Sequence, residues 1–528
     1  MDRRRRRSGW KRAVQSAALL GAVALTVAAC SDTASAPQQE SKAGAGNAGA
    51  HEPTELTVFV DMPWFWVDAF EGPIPEELTR RTGVKLKVIK SKDDNELPAL
   101  LSSGHVPDLI YSERLWDRLA SPEVSYAWDE LIPKYAPELE VSEQEKQLNR
   151  ASDGHYYTIR NYFQTAADMQ SPYAVAGPGA TAMAVRADLM EQLGNPRLES
   201  LQDLENVLLQ VKKAYPDMTP LLLDEVFQWS IYFKGRFGLD GDVYEHEGQM
   251  LSQLRNPRML AYYQFLNRLY REGLLKPENF TYSYDQYLKE RNSGNAFAFI
   301  RNVYEASAAN DAYKAAGQNG ARAKLVTAPL SDSFQRVNGT IGWAGIYITK
   351  QSKHPDAAIR LMRYLRSEEG QRLTVWGIEG EHWNLSPKGY PVFTEPFLQE
   401  KNDNYDRWVQ KYGVAAWSFG AHGNIENLAT YDEGQPDLMQ VLRMEKEHTV
   451  YKPLRSFVSP PPSTEEANIA GKVEDLIASE QTNIILAESE AACEAQYKLM
   501  VDNAEQLGLR KLEAWMTGMN DKMAQNSR

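Results

Sequence analysis

Between Leu56 and Tyr111 the chain alternates short β-branched runs with short helical ones. That alternation constrains the fold more than any other feature of the sequence. Leu56-Thr57-Val58-Phe59-Val60 reads as a strand by its length and β-branched content. Pro75 to Arg81 predicts a short helix, closed by Gly83, and Val84 to Ile89 a second strand with alternating polarity. Leu97, Leu100 and Leu101 recur at helical spacing before Gly104, and Pro107-Asp108-Leu109-Ile110-Tyr111 gives a third strand. A β-α-β-α-β order predicts a parallel α/β sheet, because parallel neighbours need crossover connections and helices supply them.

Further along, helix dominates. Ser200 and Asp203 form a capping box ahead of Leu201, Leu204, Leu208 and Val211. Leu260, Tyr263, Leu266, Leu269 and Tyr270 line one face of a second helix, ended by Gly273. Phe297–Ile300 and Lys324–Val326 read as short strands. Pro355 opens a third helix with Ala358, Leu361, Met362 and Leu365 on one side. No proline follows Pro462, and the tail from Thr464 predicts helix throughout.

The first 29 residues are of another kind. Arg3–Arg7, Lys11 and Arg12 precede an apolar stretch, Ala17–Ala29, too short to span a bilayer comfortably. The stretch ends in Leu25-Thr26-Val27-Ala28-Ala29-Cys30, small residues before a cysteine, as a lipobox requires. Residues 1–29 are therefore expected to be a lipoprotein signal peptide, with Cys30 the lipidated new N-terminus. An ordinary signal cleaved nearby is the alternative. Residues 30–53 are mostly Ala, Gly, Ser, Gln and Lys, too poor in apolar surface to fold, and predict a flexible tether.

Without residues 1–29, which carry seven Lys/Arg and one Asp, the formal net charge falls from −13 to −19. So acidic a body argues against nucleic-acid binding. With Cys30 acylated, Cys493 has no partner, which excludes a disulfide framework and a cysteine-rich zinc site. Cys493 lies among Ala491, Ala492 and Ala495 and reads as a small core residue.

Several stretches, in order, resemble the bacterial extracellular solute-binding proteins of family 1, the sugar-binding group, and most of all its large Gram-positive lipoproteins. They are the lipobox; Asp94–Gly104 followed by Pro107-Asp108-Leu109-Ile110; Ala184–Gly194 with the capped helix after it; Leu269–Glu278; Gly342 through Ile346–Lys350 to Pro355-Asp356-Ala357-Ala358 and Ser367–Gly370; and Gly377–Trp383. The resemblance implies a periplasmic-binding-protein-like α/β fold, with two α/β lobes joined by hinge strands and an interlobe cleft. Residues 54–165 with 345–400 would form lobe one and 166–344 lobe two. Hinge crossings would fall near 166–183 and 337–344. Residues 401–528, mainly helical, would pack on the lobes. The resemblance also implies capture of a small solute, a mono- or oligosaccharide, for the permease of an ABC importer. The lipid anchor would hold the protein, expected to be a monomer, on the outer face of the cell membrane.

A sugar offers apolar C–H faces and a rim of hydroxyls, so its site needs aromatic platforms and a few polar groups. Open α/β folds place such groups beyond the strand C-termini. Candidates on that basis are Asp61, Trp64 and Trp66 after the first strand, and Arg160, Tyr162 and Phe163 before the first crossing. Trp229 and Tyr232 lie three apart, a spacing that equally suits a core stripe. Arg301, Asn302 and Tyr304 follow a strand, Trp343 sits at the second crossing, and Glu381, His382 and Trp383 end a loop. An arginine among these facing the cleft would pair with the carboxylate of an acidic sugar.

A secreted carbohydrate-active hydrolase needs only two carboxylates about 5–10 Å apart, and a surface sensor on the same fold needs none. Against catalysis, the chain lacks Gly-x-Ser-x-Gly, His-Glu-x-x-His and a phosphate-cradling glycine loop. The histidines lack ligand spacing. Asp240-Gly241-Asp242 and Asp403-Asn404-Tyr405-Asp406 lack the oxygen alternation of a calcium loop and read as solvated turns. No metal and no cofactor are expected.

Overall fold

The computed structural model describes residues 52–528, apart from 64, 66, 178, 225, 240, 242, 414–418, 453–459, 461–463 and 527–528. The expected signal peptide, Cys30 and the expected tether up to residue 51 lie outside the described residues, as do Trp64, Trp66, Asp240 and Asp242.

The first sheet is built from the strands read in the sequence. Thr54–Val60 runs parallel to Val84–Lys90, in register Thr54↔Val84 to Val60↔Lys90, and parallel to Leu109–Ser112 on its other side. The sheet is not wholly parallel: Gly345–Ile348 adds to Leu109–Ser112 as an antiparallel edge. Pro73–Thr82 is the intervening helix, and Gly83 ends it at φ 67°, its N–H returning to the Thr79 carbonyl. Only glycine adopts that conformation without strain. Alternation along the strands sends Leu56, Val58, Val60, Leu109, Tyr111, Ile346 and Ile348 into one core. Phe59, Ile110 and Tyr347 face the other way, toward Leu97 and Leu119. The Pro107-Asp108 step acquires a physical reason: the Asp108 carboxylate accepts from the Thr57 N–H and Oγ1 (2.9 and 2.8 Å) and from Ser352 Oγ (2.8 Å), tying three segments together.

The second sheet has four strands in the order Thr219–Leu222, Ala296–Asn302, Thr181–Arg186, Ala323–Leu325. The first pair is parallel and the other two pairs are antiparallel. Met183, Val185 and Leu221 pack beneath the helices Leu201–Ala214 and Pro257–Arg271, while Ala182, Ala184, Leu222 and Phe299 face the opposite core. Ser200 Oγ accepts from Asp203 N at 3.0 Å and Asp203 accepts from Ser200 N, the capping box read in the sequence.

The C-terminal part is divided rather than continuous. Phe397, Trp408, Val409, Tyr412 and Phe419 join the core of the first sheet. Leu438, Val441 and Leu442 join one core of the second sheet; Ile469, Val473, Ile484, Tyr497 and Met500 join the other. The tail is helical but broken into Glu465–Ile485, Glu490–Gln506 and Leu509–Asn526, the middle helix capped by Ser489. Asp403 and Asn404 form no turn of the expected kind: Asp403 ends one helix, and Asn404 caps the next, Tyr405–Tyr412, accepting from Arg407 N.

Candidate functional site

Among the described residues, three passages link the two sheets. The first, residues 161–180, ends before Thr181, which is already sheet. The second contains the strand Arg336–Asn338. The third, residues 428–438, leads through the helix Pro436–Glu447 to Thr449–Tyr451, which pairs parallel with Arg336–Asn338.

The passages are stitched to one another by backbone. Asn161 N donates to Ala344 O (3.0 Å), Gly342 N to Asn161 O (2.8 Å), Gln164 N to Thr340 O (2.9 Å) and Gly423 N to Phe163 O (3.0 Å). Gly342 is required by this approach: a Cβ there would lie 2.1 Å from the Asn161 carbonyl oxygen. Tyr162 takes φ 52°, an uncommon conformation for a residue with a Cβ, and its N–H reaches the Ala421 carbonyl. Beneath this point lies a buried ionic cluster. Glu145 accepts from Arg366 Nη2, and His422 Nε2 stands 3.5 Å from the same carboxylate oxygen. Burial alone would raise the Glu145 carboxyl. The His422 hydrogen bond, the Arg366 and His422 charges and the Ser142 N–H outweigh it and hold the group at about 2.

Both sheets turn the C-terminal ends of their parallel strands toward these passages. In the first sheet Asp61 is buried and accepts from Arg114 Nε (2.8 Å), Arg114 Nη2 (2.6 Å) and Ser112 Oγ (2.9 Å), so the partly exposed Arg114 covers it. Tyr111 carries its hydroxyl to Asn161, whose Nδ2 donates at 2.9 Å, and its ring lies against Phe65, Phe419 and Trp343. Trp343 is half-buried on that aromatic cluster. In the second sheet Arg301 Nε lies 3.0 Å from buried Asp224, and its guanidinium sits 3.9 Å over the Tyr284 ring. Asn302 accepts from Tyr304 N at 2.9 Å, and Tyr304 and Tyr284 are exposed.

Where the passages meet there is a cavity of about 360 Å³, lined by Gln164, Arg336, Asn338, Asn427, Glu445 and Tyr451 among others. Gln164 Oε1 accepts from Asn338 Nδ2 (3.2 Å) and Tyr451 Oη (3.4 Å), and Arg336 Nη1 donates to Thr181 Oγ1 (3.0 Å). Lys446 donates to the Ser171 and Ala174 carbonyls (2.8 and 2.7 Å), and burial lowers its pKa.

Tyr162 and Trp343 thus lie on the passages beside the first sheet, and Arg301, Asn302 and Tyr304 at a strand end of the second, while several other candidates sit elsewhere. Trp229 and Tyr232 have essentially no accessible surface and belong to the core of the second sheet; their spacing is that of a core stripe. Trp383 is buried edge-on to Trp376, with its indole N–H on the Gly377 carbonyl. His382 is buried, stacks on Phe397 and accepts from Ile378 N; burial lowers its pKa. Glu381, exposed, belongs to the same loop. Phe163 is buried against His422. Arg160 is held in the first lobe by Asn149 and Leu148, over the Trp116 ring. Asp61 reaches outward only through Arg114. Sequence reasoning missed Arg114, Tyr284 and the cavity-lining Glu445. Ser112-x-Arg114 directly after a strand was the one available signal.

Two α/β lobes joined by three passages, each presenting strand ends to the junction, define a hinged two-lobe binding protein with an interlobe cleft. The family model described as "Bacterial extracellular solute-binding protein" matches residues 66–378, more than half of the chain, and the chain belongs to that family. Among solved structures it is similar to the alginate-binding protein AlgQ2, crystallised without calcium ion (17% identity, 89% of this chain and 98% of that one, TM-score 0.66). It is also similar to an HMO-binding, ABC-transporter-associated solute-binding protein from Bifidobacterium longum infantis (14% identity, 89% and 99%, TM-score 0.64). A third is the S. pneumoniae ABC-transporter substrate-binding protein FusA in complex with kestose (16% identity, 90% and 100%, TM-score 0.64). No curated protein sequence matches the chain.

Proposed function

We propose that this protein captures a carbohydrate between its lobes and delivers it to an ABC importer from the outer face of the cell membrane, tethered by acylated Cys30. Family membership and the hinged architecture support solute capture, and the solved relatives named for alginate, HMO and kestose support a saccharide. The observation that carries the reading is the junction itself. Polar groups and half-exposed aromatics from both sheets (Arg114 and Trp343; Arg301, Asn302, Tyr284 and Tyr304) surround passages on which the lobes can pivot. A solute touching both sides binds only the closed form and so selects it. Lobe one takes residues 54–160 and 345–427, and lobe two 181–333 and 439–526. Cys30 as the anchor accords with the described residues, among which no helix is long and apolar enough to cross a membrane.

Binding without turnover is the natural role of these strand ends, since Asp61 and Asp224 are both engaged by arginines rather than left as an acid–base pair. The test is a thermal-shift screen against neutral and acidic mono- and oligosaccharides, with the sugars analysed afterwards. A saccharide at about 100 times its Kd stabilises by about 2.7 kcal/mol and is recovered intact. Absence of a shift with every saccharide, or release of a hydrolysis product, contradicts the proposal.

A further inference from the structure

Lobe one reaches across the junction with side chains as well as with backbone. The strands Trp383–Leu385 and Pro391–Phe393 form a hairpin, its base fixed in lobe one by Trp383 against Trp376 and by Phe393 against Phe397. Backbone bonds set its turn: Ser386 N donates to the Tyr390 carbonyl (2.9 Å) and Gly389 N to the Ser386 carbonyl (3.0 Å). The hairpin is therefore a stiff arm, and Tyr390 stands at its tip. The Tyr390 ring meets Tyr431 of the third passage (centroids 4.7 Å apart) and Tyr173 of the first (5.3 Å), and those two rings meet each other edge-on at 5.2 Å. Beside them Lys388 Nζ donates to Glu433 Oε1 (2.8 Å), which also accepts from the Tyr431 hydroxyl (3.2 Å). Tyr173 and Tyr431 are held on the lobe-two side. Tyr431 is buried in the core that holds Leu222 and Phe299 of the second sheet and Leu438 and Leu442 of the helix Pro436–Glu447. Lys446 of that helix grips the Ser171 and Ala174 carbonyls, on either side of Tyr173.

The three rings thus clasp an arm of lobe one to a wall of lobe two. Rings at these separations are in contact, and a rotation about the passages that slides them by a few ångström forfeits it. In the arrangement the clasp holds, the strand-end cations Arg114 and Arg301 are engaged within their own lobes, by Asp61 and by Asp224. We propose that the Tyr173–Tyr390–Tyr431 clasp, with the Lys388–Glu433 ion pair, is a latch that holds the lobes apart and that closing on a solute must release. The latch is no part of the solute's own site. It sets apparent affinity by setting what fraction of the protein is free to close. It rests on the hinged binding role proposed above and adds a brake to it.

Two measurements on the purified protein test the latch, one without any sugar. Spin labels on Lys134→Cys in lobe one and Lys213→Cys in lobe two, both exposed helix positions, report the distance between the lobes by pulsed electron resonance. The sugar-free protein is expected to give one narrow distribution, Tyr390→Phe the same, and Tyr390→Ala a broader one. Titration calorimetry then uses a saccharide that stabilises the wild type. Tyr390→Ala is expected to bind it about three- to thirty-fold more tightly, since two ring contacts no longer oppose closure. Lys388→Glu leaves every ring in place and sets a like charge against Glu433. It is expected to bind about two- to five-fold more tightly, and the difference from wild type disappears in 1 M NaCl. The Lys388→Glu arm stands even where Tyr390→Ala disturbs the fold. Distance distributions of equal width in wild type and Tyr390→Ala overturn the latch and leave solute capture standing, as do affinities of both variants within two-fold of wild type, or weaker. A broadened distribution in Tyr390→Ala with no saccharide bound by the wild type removes the carbohydrate reading and supports the latch.

Discussion

Replacing Glu145 by Gln tests how the first passage is anchored. Glu145 serves two structures at once. It closes the capping box of the helix Glu143–Asn149 through Ser142 N and Oγ (3.0 and 2.8 Å), and it neutralises Arg366, whose side chain is 3% exposed. The carboxyl falls from an ordinary 4.5 to about 2 in the folded protein. At about 1.4 kcal/mol for each factor of ten in proton affinity, that difference is about 3 kcal/mol of stability at neutral pH. Gln keeps the size and the capping acceptor but leaves the Arg366 guanidinium buried without its anion, so the total loss is about 3–5 kcal/mol. Over the roughly 480 residues from Glu52 to Arg528, the unfolding entropy is about 1 kcal/mol/K, which makes the fall in Tm about 3–5 °C. The pH dependence fixes the cause. A depressed carboxyl contributes its full stabilisation above its unfolded value, near 4.5, and loses it as pH falls toward 2. The gap between wild type and Glu145→Gln, read by calorimetry, is therefore widest above about pH 5 and closes in acid. Adding Arg366→Met recovers much of the loss by removing the stranded cation. A gap under 0.5 °C at pH 7, or one of equal size at pH 3 and pH 7, refutes the reasoning.

Three further outcomes follow from the same structure. Partly buried Glu426, on the helix beside Gly177, is pushed up to about 7 by burial; raised above its unfolded 4.5, it makes the fold lose stability as pH climbs from about 4.5 to 7, and Glu426→Gln flattens that part of the melting profile. Gly342→Ala forces a Cβ to within 2.1 Å of the Asn161 carbonyl oxygen and is expected to cost roughly 1–3 kcal/mol in a urea titration, as overpacking does. Trp229→Ala and Tyr304→Ala should separate core from cleft: the first loses about 3–5 kcal/mol of stability and keeps solute affinity, while the second melts like wild type and binds saccharide about ten-fold more weakly.

What the sequence disclosed is what local chemistry controls. The Ser200–Asp203 box, the glycine closing Pro73–Thr82 and the β-branched runs of the first sheet act over a few residues, and periodicity reveals them. The same holds for the order of the shared stretches, which carried the family. The Arg–carboxylate pairs were not legible, because Asp61 and Arg114 lie 53 positions apart and meet only once two strands are paired. Trp229 and Tyr232 show the converse: three-residue spacing puts both on one helix face, but nothing local says whether that face meets a core or a cleft. The third passage was hidden because Thr449–Tyr451 is too short to announce itself as a strand and pairs with residues more than a hundred positions earlier.

Small-angle scattering of the protein, alone and saturated with a saccharide that stabilises it, measures whether the lobes close on their guest. A folded body of this length has a radius of gyration of about 23 Å. Closure about the three passages predicts a fall of about 1 Å on binding, reversed when the sugar is dialysed away. Identical scattering curves with and without saturating saccharide contradict a hinged clamp.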